Sequence, residues 1–132
     1  MTLLVVDSSA LLAILFQETQ SEACARCLVG ASRVLISAAN ALECALKLGG
    51  DPAYDRSAEL DPFLNRIGIE VREVDLAQYR AARAAHLAYG RGRHPARLNF
   101  GDCFAYALAK TLDAPLLFVG DDFSRTDIAC AL

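Results

Sequence analysis

The sequence predicts an α/β domain built on a mostly parallel sheet with helices on both faces. Two short, continuous apolar runs, residues 3–6 and 116–119, have the form of central strands buried on both sides, without the alternation of a half-wet strand. Helix-like stretches alternate with strand-like ones between them, the order that produces βαβ units. Finally, 55% of the 132 residues are hydrophobic, enough apolar material for a core on each side of such a sheet. One domain covering residues 1–132 is therefore expected.

Each element follows from its residues. The run at residues 3–6 ends at Asp7, and Ser8 and Ser9 are good N-cap residues for a helix over residues 10–16. A second helix is predicted over residues 21–29, a second strand over 33–36, and a third helix over 37–48, capped by Ser37 and stopped by Gly49-Gly50. Residues 51–56 read as a loop broken by Pro52, before a helical pattern over 57–66. Residues 69–74 alternate apolar and charged side chains, as a half-buried edge strand does. Asp75 can cap a helix from Leu76 to Tyr89, which runs into a flexible glycine-and-arginine loop over residues 90–95. The next helix carries no charge from Cys103 to Ala109, the mark of a buried helix. Asp113-Ala114-Pro115 turns the chain into the last apolar run, which Gly120-Asp121-Asp122-Phe123 follows.

Composition excludes several classes. The longest charge-free run, residues 8–17, is too short to cross a bilayer, which takes about 20 apolar residues. The opening residues lack the basic flank and cleavage pattern of a signal peptide, so a cytoplasmic protein is expected. Five cysteines is an odd number, and Cys24, Cys44 and Cys103 lie among alanines and leucines as small hydrophobes. Cys24 and Cys27 have no second ligand pair for zinc. No P-loop, no GxGxxG after the first strand and no Ser-His-Asp set is present. A phospho-accepting receiver domain wants an acidic pair after its first strand, where Ser8-Ser9 stand here.

What remains is a set of carboxylates. Parallel sheets bind ligands beyond the carboxyl ends of their strands, where Asp7 and the Asp121-Asp122 pair stand. Asp102 heads the buried helix, and Glu43 sits among alanines and leucines. Taken singly, each has a plain structural account as a cap, a dipole-complementing acid or a solvated side chain. Converging in a partly dry cleft, they would repel one another unless a divalent cation joined them, and oxygen ligands suit Mg2+ or Mn2+. The net charge is -3, yet no acid lies between Leu76 and Gly101, an interval holding Arg80, Arg83, Arg91, Arg93, Arg97, His86 and His94. Such a segment beside the acids can hold the phosphates of a nucleic acid.

Four segments, Val5-Val6-Asp7-Ser8-Ser9-Ala10-Leu11, Ala41-Leu42-Glu43, Leu98-Asn99-Phe100-Gly101-Asp102-Cys103 and Leu117-Phe118-Val119-Gly120-Asp121-Asp122-Phe123, carry a family likeness. In that order the chain resembles the PIN-domain ribonucleases, and within them the VapC toxins of bacterial type II toxin–antitoxin systems. The resemblance implies a three-layer α/β/α sandwich and a Mg2+- or Mn2+-dependent endoribonuclease in which Asp7, Glu43 and Asp102 match acidic positions of the family. The fourth position departs from the family's Thr-x-Asp-like element. Asp121 is the favoured ligand there, with Asp122 structural beside Phe123. Arg91, Arg93 and Arg97 are the expected nucleic-acid contacts. A homodimer, and a small VapB-like antitoxin covering the acidic cleft, are the implied partners. An RNA-processing nuclease that is no toxin, and a non-catalytic PIN-like module that binds without cutting, are the competing readings.

Overall fold

The structure, a computed structural model, describes residues 2–132. Its centre is a four-stranded sheet in the order β3-β2-β1-β4, in which every pairing is parallel. The strands are β1 (Leu3–Val6), β2 (Arg33–Ser37), β3 (Ile69–Arg72) and β4 (Leu116–Leu117). Registers such as Val5 opposite Leu35 on one side and opposite Leu116 on the other fix β1 at the middle.

Alternate side chains of the strands feed two cores. Leu4, Val6, Val34, Ile36 and Leu117 face one layer, formed by α1 (Ser8–Leu15), α2 (Ser21–Gly30), α3 (Ala38–Leu48) and α4 (Leu60–Ile67). Val5, Leu35 and Leu116 face the other, formed by α5 (Leu76–Tyr89) and α6 (Phe100–Leu112). The three-layer sandwich expected from the sequence is the architecture observed. As expected, α6 is buried nearly all round, with Cys103 and Ala105 through Ala109 in the core, though Phe100 at its first turn stays exposed.

Several boundaries differ from the sequence reading, each for a local reason. The cap of α1 is Asp7 rather than Ser8 or Ser9, because the carboxylate accepts from the Ser9 N–H at 3.1 Å. Strand β4 stops at Leu117 because its neighbour β1 turns into α1 at Asp7; Val119 N–H donates instead to Ser9 Oγ at 3.0 Å. Helix α4 begins at Leu60, after a 3-10 turn at Ser57–Glu59, with Pro62 in its first turn where no backbone N–H is needed. A second short 3-10 turn, Pro52–Tyr54, interrupts the predicted loop at 51–56. Strand β3 ends at Arg72 instead of residue 74, since its pairing with β2 runs out at Ser37. The glycine-and-arginine loop is closed by backbone hydrogen bonds, Leu98 N–H to Tyr89 O at 3.0 Å and Arg91 N–H to Leu98 O at 3.1 Å.

Beyond β4, residues 122–125 form a 3-10 turn anchored by buried Phe123, and the end of the chain returns alongside β4. There Leu116 N–H donates to Ala129 O at 2.8 Å, and Ala131 N–H donates to Leu116 O at 3.0 Å. Lys110 and Tyr106, both on α6, clamp Asp127 in this returning segment. No helix among the described residues is long and apolar enough to cross a membrane.

Candidate active site

The chain leaves β1 toward one edge of the sheet through β2 and toward the other through β4, so the carboxyl ends of β1 and β4 flank the point where the strand order reverses. This is where open parallel sheets form their binding crevice. Asp7 stands at that point, 3% exposed, with one oxygen capping α1 and the other, Oδ1, buried without any hydrogen-bond partner. A buried carboxylate oxygen without a partner is costly, and the cost shows in its titration. Burial, opposed in part by the Ser8 and Ser9 donors and reinforced by the nearby Glu43 charge, pushes the Asp7 carboxyl up to about 6.

Asp102 reaches the same place from α6. Asn99 caps this helix by accepting from the Asp102 N–H at 2.9 Å, and Asp102 Oδ2 accepts from the Asn99 N–H at 3.0 Å. This reciprocal capping box fixes the carboxylate at the helix start. Burial pushes its pKa up to about 7, with added contributions from the Asp7 charge and from contact with the Asp122 carboxyl, against the lowering effect of the Asn99 bond. The dipole-complementing role and the site role thus coincide in one side chain.

Glu43 comes from α3 and is half-buried. Its Oε1 accepts from Ser8 Oγ at 2.8 Å and from Asn40 Nδ2 at 3.2 Å. Asn40, wholly buried, also donates to Gly101 O at 2.9 Å, tying α3 to the first turn of α6. The two helices meet so closely here that a Cβ at position 101 would lie 2.7 Å from Glu43 Oε1 and 2.8 Å from its Cδ. Glycine at 101 is what lets Glu43 occupy the cleft.

Of the two aspartates after β4, Asp122 is the one whose carboxyl contacts Asp102. Asp121 lies on the rim, exposed, in the wall of a cavity it shares with Asp122, Arg91, Arg97 and Arg125. Arg93 lies in a second hollow, formed by the glycine-and-arginine loop itself, with Arg91 and Arg97. Sequence reasoning missed Asn40 and Ser8 as supports of Glu43, and Arg125 as a neighbour of the acids. For Asn40 a signal existed, since it is a lone amide in an apolar helix three residues before the glutamate.

The donor set is all oxygen. Cys44, the nearest thiol, is buried and pushed up to about 12 by that burial and by the Asp7 and Glu43 charges, so it stays a neutral thiol. Among the described residues no three His, Cys, Asp or Glu side chains are already drawn together as a cage for an ion. The acids instead approach in pairs, Asp7 with Glu43, Asp7 with Asp102, and Asp102 with Asp122. The unpartnered Asp7 Oδ1, the raised carboxyls and the lack of any thiolate fit a hard divalent cation bound by carboxylate and water.

Comparison with known proteins gives the family and the fold. The family model for the PIN domain matches residues 4–129. Ribonuclease VapC30 of Mycobacterium tuberculosis is 44% identical over 126 residues, covering 96% of each chain. Ribonuclease VapC of Mycolicibacterium smegmatis is 42% identical, covering 96% of this chain and 98% of the relative. The fold matches that of M. tuberculosis VapC20, described as a sarcin–ricin loop cleaving toxin, with a TM-score of 0.77 at 13% identity over 96% of each chain. It also matches that of DNA-bound VapBC from Salmonella typhimurium, with a TM-score of 0.77 at 17% identity over 98% of this chain and 96% of that one. By sequence over nearly its whole length and by fold, the chain belongs to the PIN-domain family, among the VapC ribonucleases.

Proposed function

We propose that the protein is a Mg2+- or Mn2+-dependent endoribonuclease that acts in the cytoplasm as the toxin of a type II toxin–antitoxin pair. The observation that carries the reading is the buried, unpartnered Asp7 Oδ1, with Glu43 and Asp102 beside Asp7 and Asp122 against Asp102, at the crevice of a VapC-family fold. Asp7, Asp102 and Asp122 would hold the cation, and Asp122 takes the fourth acidic position in place of Asp121 because of its contact with Asp102. When bound, the cation lowers the pKa of a coordinated water and offsets charge on the scissile phosphodiester.

The chain's own residues do the rest. Glu43, held at Oε1 by Ser8 and Asn40, orients the attacking water in line with the phosphodiester through its free oxygen. Arg91 and Arg97 fix the RNA backbone without reading bases. Related structures include a toxin–antitoxin complex from Klebsiella pneumoniae and the Salmonella VapBC. That supports a small VapB-like antitoxin as partner here; in the reading proposed it covers the cleft, and the toxin is a homodimer.

The test is RNA cleavage by the purified protein, with Mg2+, with Mn2+ and with chelator, for parent, D7N, D102N and D122N. Cleavage should need the cation and fall at least a hundredfold in each variant. D102N folding normally and cutting RNA at the parent rate would sink the scheme. Absence of cation binding by the parent in a Mn2+ titration would support the non-catalytic module instead. For the toxin role, growth arrest on expression should be relieved by a small neighbouring gene; without such relief the RNA-processing reading gains.

A further inference from the structure

We propose that Arg125, together with Arg91 and Arg97, forms a clasp for an RNA phosphate beside the acidic cluster; the inference rests on the ribonuclease reading above. The three guanidinium side chains line one cavity of about 310 Å3 whose wall also carries Asp121 and Asp122. None of the three takes part in an ion pair among the described residues, although other arginines of the chain do, such as Arg33 with Glu70 and Arg56 with Glu59. Their donors are uncommitted at the one place where two distant chain segments bring them together.

Both segments hold their arginines firmly. The loop is closed by the hydrogen bonds at Tyr89 and Leu98, it buries Ala96, and the His94 ring packs edge-on against Tyr89 at 5.0 Å. The turn over residues 122–125 is pinned by Phe123, which packs against Phe118 at 5.1 Å. Arg97 adopts φ 55, a left-handed backbone that is costly for a non-glycine residue and tends to persist where a site needs it. Three positive charges face two negative ones in this cavity, while the floor beside it, with Asp7 and Asp102, is anionic. An isolated phosphate would be drawn to the arginine side. A polyanion held there would leave its neighbouring phosphodiester over the carboxylates. Arginine's planar fork suits a phosphate's oxygens in a way that a lysine's point charge does not. Arg93, in the other hollow, has no part in this clasp.

The experiment measures binding of a fluorescein-labelled single-stranded oligoribonucleotide to the full-length D7N protein, by anisotropy over a range of salt. Adding R125Q should weaken binding about tenfold and lower the slope of log Kd against log salt by about one. R125K should restore the salt slope but only part of the affinity, and R66Q, on the opposite helical layer, should match the D7N parent. Since Arg125 is exposed, R125Q should melt with the parent and the loss cannot be laid to unfolding. RNA affinity and salt slope unchanged in D7N/R125Q overturn the proposal, as does an R125Q loss seen only with an acidic peptide, which would make the clasp a protein-docking site. The two readings fail separately: absence of cleavage by the parent defeats the ribonuclease, whereas oligoribonucleotide binding by D7N still reports on the clasp.

Discussion

Asp7 divides its work between two oxygens, and the division can be measured. Its folded pKa is raised above the ordinary 3.8 of an aspartate, as is that of Asp102, so the folded protein holds more protons than the unfolded chain between about pH 4 and pH 7. Stability of the metal-free protein therefore falls as pH rises through that window, with Asp7 alone contributing on the order of 3 kcal/mol. Melting temperature should be higher at pH 5 than at pH 7.5, and the difference should shrink when Mn2+ is added. At pH 7.5 without metal, D7N removes the buried charge but keeps a good cap, so it should melt about 3–8 °C above the parent while losing RNA cleavage. Melting below the parent would contradict the burial argument. G101A should push Glu43 from its seat and cut cleavage at least tenfold, with RNA binding by the protein little changed. Asp7, Glu43 and Asp102 were legible in the sequence because each is an acid at the end of a strand or in an apolar helix. The contact of Asp122 with Asp102 and the place of Arg125 beside the acids were not, since they join residues far apart in the chain.

At the scale of elements, the two helix starts carry the site. Asn99→Ala removes one half of the α6 capping box, which should cost about 1 kcal/mol of stability and reduce cleavage more than that loss explains, because Asp102 is then free to turn. Thermal melting and cleavage rate measured on the same preparation separate the two effects. Leu108, 1% exposed in the core between α6 and the sheet, is a control of the opposite kind. L108A should cost about 2–5 kcal/mol and leave the cleavage rate of the folded fraction near the parent value. Helix α6 was legible from its unbroken apolar run. The serines after β1 misled because a hydroxyl and a carboxylate both cap helices, and only the structure shows the hydroxyls turned to Glu43 and Val119.

For the whole molecule, the alternation of strands and helices was enough to give a parallel sheet in three layers, because both-face burial leaves continuous apolar runs at β1 and β4. Strand order was not legible, since nothing local in β4 says that it pairs with β1 instead of β3. The returning C-terminal segment was missed too, because it forms backbone hydrogen bonds to β4 without any strand-like pattern of its own. Deleting residues 127–132 should expose that sheet edge and release the Tyr106 and Lys110 clamp. The shortened chain should melt lower than the parent and associate with rising concentration, as an uncovered edge does; light scattering of parent and truncated chains distinguishes the outcomes. Finally, the dual use of Asp7, as the cap of α1, and of Asp102, as the reciprocal acid of the α6 capping box, bears on how inactivation could arise by mutation. A descendant that had lost its chemistry would still keep an aspartate or asparagine at both places for folding's sake. Glu43 and Asp122 cap no helix, so under the proposed mechanism their fate is the better record of whether a lineage still cuts RNA.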